Sequence, residues 1–284
     1  MLNTASGRAA MAMVIACFAS IAAGQEREPD PICADDRFVL MKPEAIDAVG
    51  SYRSTLGLCR ASRGETAVAI RSFLMNGERG LLLVDPDRLT TRLARAVCWR
   101  CEDVGDDALG DTRLAAAIAQ SSEPPPLLAR GVFESAGLAH GKGPGSYVTA
   151  DLCPSPYPLD RAFFDALVKA GPHTPLAIAI SGLWLLRHPE DFAWLKALDE
   201  SGALDILWVN HSFHHPYNPR APDQRNFLLA PGTDVDAEVL DTERLLIANG
   251  VTPSVFFRFP GLVASAPLLQ AVRRHHLVAV GADA

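Results

Sequence analysis

Three histidines crowd one short stretch, Asn210-His211-Ser212-Phe213-His214-His215-Pro216. His211 and His215 are four positions apart, so one helical turn would set both imidazoles on one face. That spacing can hold a divalent metal, and imidazole suits zinc and similar ions. By itself the H-x-x-x-H spacing is a weak signal, because packed and solvated histidines are common. It gains weight from its surroundings. Thr149-Ala150-Asp151-Leu152-Cys153 offers a carboxylate, Arg258-Phe259-Pro260-Gly261 a guanidinium, and Gly281-Ala282-Asp283-Ala284 a second carboxylate. A carboxylate beside a bound ion can take the proton of an attacking water. The other five histidines lack such neighbours. His275 and His276 close a helix after Arg273 and Arg274, where cations suit the C-terminal dipole. His140, His173 and His188 fall in loops.

The elements that must position these groups follow from the apolar pattern. Tyr147–Ala150, Pro175–Ser181, Leu204–Val209, Ser254–Phe257 and Leu277–Val280 read as short apolar strands. Leu159–Ala170, Leu185–Ser201, Asp234–Asn249 and Pro267–His276 read as helices between them. The helix at Asp234–Asn249 has an acidic first turn and Gly250 just past its end. Strands alternating with helices predict a parallel α/β sheet or barrel. In such folds the chemistry sits at the C-terminal ends of the strands. Asp151, the histidine cluster, Arg258 and Asp283 all follow strands.

Upstream of Tyr147 the pattern is mixed. Arg79–Val84 reads as a buried strand, and Asp87–Val97 and Leu109–Gln120 read as helices. Gly137–Ser146 is a glycine-rich connector. Its Gly141-Lys142-Gly143 lacks the spacing of a phosphate loop and precedes a strand instead of joining strand to helix. Met1–Gly24 carries one charge, Arg8, then an apolar run and small residues, which reads as a signal peptide. The expected organisation is a leader at 1–24, a region of unassigned function at 25–145, and a catalytic-type domain at 146–284. Export would make the protein periplasmic or secreted, with no stable membrane span after cleavage.

The chain has 284 residues, 49% hydrophobic and 21% charged, which is ample for a sizeable core and excludes wholesale disorder. Its net charge is −7, with no Lys/Arg run, so a nucleic-acid partner is not expected. Beyond the leader stand Cys33, Cys59, Cys98, Cys101 and Cys153, an odd set. Cys98-Trp99-Arg100-Cys101 reads as a local disulfide or two plain thiols, since no second C-x-x-C completes a zinc knuckle. Were Cys98 to pair with Cys101 and Cys33 with Cys59, Cys153 would be left over. Residues two apart in an extended segment face the same side. Cys153 could therefore join Asp151 in facing the site as a thiolate ligand, or it could be a small packed thiol.

The order T-x-D, H-S-x-x-H, R-x-P-G and a late Asp resembles the polysaccharide deacetylases of carbohydrate esterase family 4, the group that includes chitooligosaccharide deacetylases. The resemblance spans roughly Ser146–Ala284. It implies a distorted (β/α) barrel and a metal-dependent hydrolase that removes acetyl groups from a carbohydrate or cell-envelope polysaccharide. It implies a divalent metal, zinc first, held by His211 and His215, with Ser212 bracing the histidine loop. Asp151 would be the catalytic base, Arg258 would orient it, Asp283 would fix Arg258, and Pro260 would line the substrate groove. His214 and Cys153 are further candidate ligands. The partner would be an acetylated oligo- or polysaccharide.

Two departures from that pattern stand out. The family pairs two consecutive aspartates, and the second position here is Leu152, which cannot ligate. The family's last motif, whose histidine acts as general acid, would lie beyond Ala284, so the barrel is expected to be incomplete at its C-terminus. Leu152 also motivates a second reading, a non-catalytic carbohydrate-binding envelope protein on the same barrel. Another metal-dependent amidase is a third.

Overall fold

The computed structural model describes residues 31–38, 46–124, 132–139 and 145–282. The leader, Gly141-Lys142-Gly143 and Asp283 lie outside the described residues.

The first half folds as an antiparallel sheet of β1 (Val49–Ala61), β2 (Thr66–Met75), β3 (Glu78–Val84), β4 (Thr91–Arg95) and β5 (Trp99–Asp103), in the order β4-β3-β2-β1-β5. Asn76-Gly77 turns β2 into β3, both at positive φ (52° and 79°), and Met75 pairs with Glu78 across the turn. Asn-Gly is the pair that a two-residue hairpin of this hand requires. The helix expected over Asp87–Val97 does not form. Leu89, Leu93 and Val97 have helical spacing, but Asp85 accepts from the amides of Asp87 and Arg88 and makes a turn there. Thr91 onward then pairs along β3, and Val97 is left 75% exposed. Tertiary pairing overrode a short local period. α1 (Arg113–Ser121), capped by Thr112, lies where a helix was expected.

The second half is a parallel sheet with helices in the connections. β7 (Thr149–Leu152), β8 (Thr174–Ile180), β9 (Leu204–Asn210), β10 (Phe256–Phe257) and β12 (Val278–Ala279) run in the order β12-β10-β9-β8-β7. β6 (Phe133–Glu134) pairs antiparallel with β11 (Val263–Ala264). The helices are α2 (Arg161–Ala170), α3 (Gly182–Arg187), α4 (Pro189–Glu200), α5 (Val235–Ala248) and α6 (Ala266–Arg274). The helix expected over Leu185–Ser201 is two helices, broken at His188, because a residue before proline is driven out of the helical region. Among the described residues the sheet is open from β7 to β12, and no ring of strands closes.

β8 is buried along Leu176–Ile180, the continuous apolar run expected of a strand covered on both faces. One apolar cluster joins the halves: Val49, Ile70 and Leu82 of the antiparallel sheet pack with Val239 and Ile247 of α5, Leu268 and Val272 of α6, and Val278 of β12. Within that contact Arg71 makes a two-pronged ion pair with Glu243 of α5 at 2.6 and 2.9 Å, both side chains fully buried. Tyr52 donates to the same carboxylate at 2.8 Å.

Two disulfides pin the antiparallel sheet, Cys33–Cys98 and Cys59–Cys101. The Cys98–Cys101 and Cys33–Cys59 pairings are therefore overturned. Cys98 lies in a 3-10 turn before β5, whereas Cys101 sits on β5 directly opposite Cys59 of β1. Strand register chose the partner, not sequence proximity. Among the described residues Cys153 is the free thiol.

Candidate metal centre

Three strand ends build the site. β7 alternates, so Leu152 is buried in the core while Asp151 and Cys153 lie toward the other face. Ser181, which caps α3, donates from its hydroxyl to the Leu152 carbonyl at 2.9 Å and fixes the end of β7. β9 delivers Asn210, fully buried, and the histidine loop after it. β10 delivers Arg258, whose amide donates to the Asn210 carbonyl at 2.9 Å.

The loop His211–His215 is not the helical turn expected from the spacing. Ser212 (φ 67°) and His215 (φ 47°) are both left-handed. Such residues persist only when their surroundings dictate them, and they gather at functional sites. The surroundings here are explicit. The Ser212 amide donates to the Asn210 side-chain oxygen at 3.0 Å, and the Asn210 amide group donates to the Val239 carbonyl of α5 at 2.9 Å. Glu238 of α5 accepts from the amides of Phe213 and His214, each at 2.8 Å. The irregular path still brings the two rings together, with centroids 4.9 Å apart.

Cys153, His211 and His215 form one group whose ligand atoms all lie within 4.8 Å of one another. His211 Nδ1 is 2.8 Å from the Arg258 carbonyl. A carbonyl only accepts, so Nδ1 carries the proton and Nε2 presents its lone pair. That Nε2 is 3.6 Å from the Cys153 sulfur. His215 Nε2 is buried with no hydrogen-bond partner. A buried, unpartnered imidazole nitrogen needs an explanation, and an ion is one. One thiol and two imidazoles are a donor set that suits zinc and leaves a fourth position open. The residues present therefore fit a divalent metal.

The electrostatics agree with ligand roles. Burial pushes the His211 imidazole down to about 4, against the pull of Asp151, and lowers His215 as well. Both rings are neutral near pH 7, with lone pairs to give. Burial, then the Asp151 charge, pushes the Cys153 thiol up to about 11. A cation beside it acts in the opposite sense and favours the thiolate.

Arg258 organises the rest. Its Nη1 donates to Asp151 at 2.7 Å and to the Thr149 hydroxyl at 2.9 Å, and its Nη2 to the Gly281 carbonyl at 3.0 Å. Arg258 is 6% exposed in its side chain and Asp151 32%, so a buried guanidinium steadies a carboxylate that faces outward. The Gly281 carbonyl thus anchors the second prong of Arg258, and Asp283 lies outside the described residues. Pro260 is buried at the start of a 3-10 turn and offers a substrate little surface. Ser212 keeps its hydroxyl buried and unpartnered. His214 stands apart from the ligand group: its ring is 60% exposed and its Nδ1 is 2.7 Å from Glu238. Glu238 and Asn210 were missed in the sequence. Glu238 was visible only as part of an acidic helix start, which the helix dipole explains equally well.

The chain is similar to solved family 4 carbohydrate esterases. One, from Bacillus anthracis, shares 19% identity over 47% of this chain and 56% of its own, with a TM-score of 0.34. One from Streptomyces lividans, in complex with acetate, shares 21% over 51% and 62%, at 0.32. PdaA of Bacillus subtilis shares 23% over 47% and 50%, at 0.34. The match spans about half to three fifths of the length of these solved chains. Separately, residues 52–100 match the family model described as the RP012 protein N-terminal domain, a span that runs from within β1 to the start of β5.

Proposed function

We propose that the protein is an exported, metal-dependent hydrolase that removes acetyl groups from an acetylated oligo- or polysaccharide, with zinc as its ion. Residues 1–24 are its leader, and 146–284 carry the site. The observation that carries this reading is the Cys153–His211–His215 donor group set beside an arginine-clamped Asp151. The motif order in the sequence supports the carbohydrate substrate.

Cys153, His211 and His215 would hold the ion. When bound, it would supply Lewis-acid polarisation of the acyl carbonyl and lower the pKa of water. Asp151 has one oxygen committed to Arg258. Its exposed carboxylate takes the proton from the attacking water. Arg258 keeps that carboxylate aimed, while its own carbonyl holds His211 in the tautomer that offers Nε2. Cys153 takes the place that Leu152 leaves empty of a second carboxylate.

The test is acetate release from N-acetylglucosamine oligomers by protein loaded with Zn2+. Release should vanish with a chelator, return with added Zn2+, and be lost in His211→Ala and Asp151→Asn. Loaded protein that binds the oligomer and releases no acetate would instead establish the carbohydrate-binding reading, which the buried Leu152 favours.

A further inference from the structure

We infer that Tyr217 is a sugar-stacking platform beside the metal centre, taking the apolar face of a pyranose ring one subsite from the reacting acetyl group. The inference rests on the carbohydrate reading above and names a residue that selects for it. Tyr217 is 63% exposed. Its ring lies on Phe227, with centroids 5.3 Å apart and planes 18° from parallel. Phe227 in turn packs T-shaped with the His215 ring, at 5.3 Å and 86°. Two ring contacts thus separate an open aromatic face from a candidate metal ligand.

The platform is built rather than incidental. The Phe227 amide donates to the Pro216 carbonyl at 2.8 Å, closing the loop that carries both rings. Asn226, 2% exposed, accepts from the Asn218 amide at 2.7 Å and donates to the carbonyls of Asn218 and Ala221 at 3.0 and 2.9 Å. Phe227 itself is left-handed (φ 52°), strain that the loop imposes. Gly261 of the Arg258-Phe259-Pro260-Gly261 turn is at φ 63°, and a Cβ there would lie 2.3 Å from the Phe227 ring. Only glycine admits both that backbone and that ring. The arginine turn and the histidine loop therefore both close on Phe227, and Tyr217 is the face they leave to solvent.

The chemistry selects the ligand. An aromatic face is electron-rich. A pyranose whose hydroxyls are equatorial presents axial C–H groups to such a face and keeps its hydroxyls for water. A rigid aromatic face beside a polar centre suits orientation of a ligand.

The experiment compares Tyr217→Ala, Tyr217→Phe and, as a control at the opposite end of β7, Tyr147→Ala in the Zn2+-loaded full chain. Each is assayed on an N-acetylglucosamine tetramer and on nitrophenyl acetate, and tetramer binding is measured by calorimetry. Loss of the stacking face in Tyr217→Ala should weaken tetramer binding about 2- to 10-fold. The ratio of kcat/KM for tetramer over nitrophenyl acetate should fall by the same factor. Tyr217→Phe and Tyr147→Ala should keep both. Tetramer affinity unchanged in Tyr217→Ala, or equal losses on both substrates, would overturn the platform. Wild type that binds tetramer through Tyr217 and releases no acetate would overturn the hydrolase reading and leave the platform standing.

Discussion

Replacing Arg71 with methionine leaves Glu243 charged in the core with Tyr52 as its remaining donor. Arg71 makes four side-chain hydrogen bonds, two to Glu243 and one each to the carbonyls of Ile70 and His275, at 2.6–2.9 Å. Neither charged side chain reaches solvent. Removing one partner of such a pair costs about 3–5 kcal/mol, chiefly the penalty of an uncompensated buried charge. At about 2–4 °C per kcal/mol for a domain of this size, Tm should fall by roughly 6–20 °C. Arg71→Met/Glu243→Leu should recover at least about 2 kcal/mol, because apolar side chains of similar volume often replace a buried pair without loss. The two carbonyls left behind keep the recovery incomplete. Urea unfolding of the metal-free protein reads all three variants, followed by tryptophan fluorescence and far-ultraviolet dichroism. Coincident transitions by the two probes would show that the two sheets unfold as one unit. An Arg71→Met cost below about 1 kcal/mol, or a double variant no better than the single, would refute the reasoning.

Glu238→Ala removes the acceptor of two loop amides, so Co2+ affinity should drop more than about tenfold, with Glu238→Gln in between because it keeps one oxygen acceptor; equal affinities would show that Glu238 does not position the histidine loop. Metal-free stability should be full above about pH 6.5 and decline as pH falls towards about 4, because His211 and His276 are both held down to about 4 by burial while the unfolded chain protonates near 6.5. His215 and His275 shift in the same direction through burial. A urea midpoint unchanged between pH 7 and pH 4.5 would contradict this.

The sequence alone determined the alternation of short apolar strands with helices, because burial period is a local property that each segment carries with it. It therefore also determined that Asp151, the histidines and Arg258 gather at one end of the sheet, since parallel strands carry their following loops to the same side. It did not determine how His211 and His215 meet. A helical turn and an irregular loop with two left-handed residues satisfy the same spacing, and the choice belongs to Asn210 and to Glu238 on α5. Cys153 was legible as the leftover thiol, although the pairings assumed for the other four were wrong. Which cysteines meet depends on strand register between β1 and β5. The same holds for Arg71 and Glu243, 172 positions apart in sequence. Nothing in the neighbourhood of either residue marks it as half of an ion pair. Only packing the antiparallel sheet against α5 excludes the water that would otherwise solvate them separately, and that exclusion makes each charge require the other.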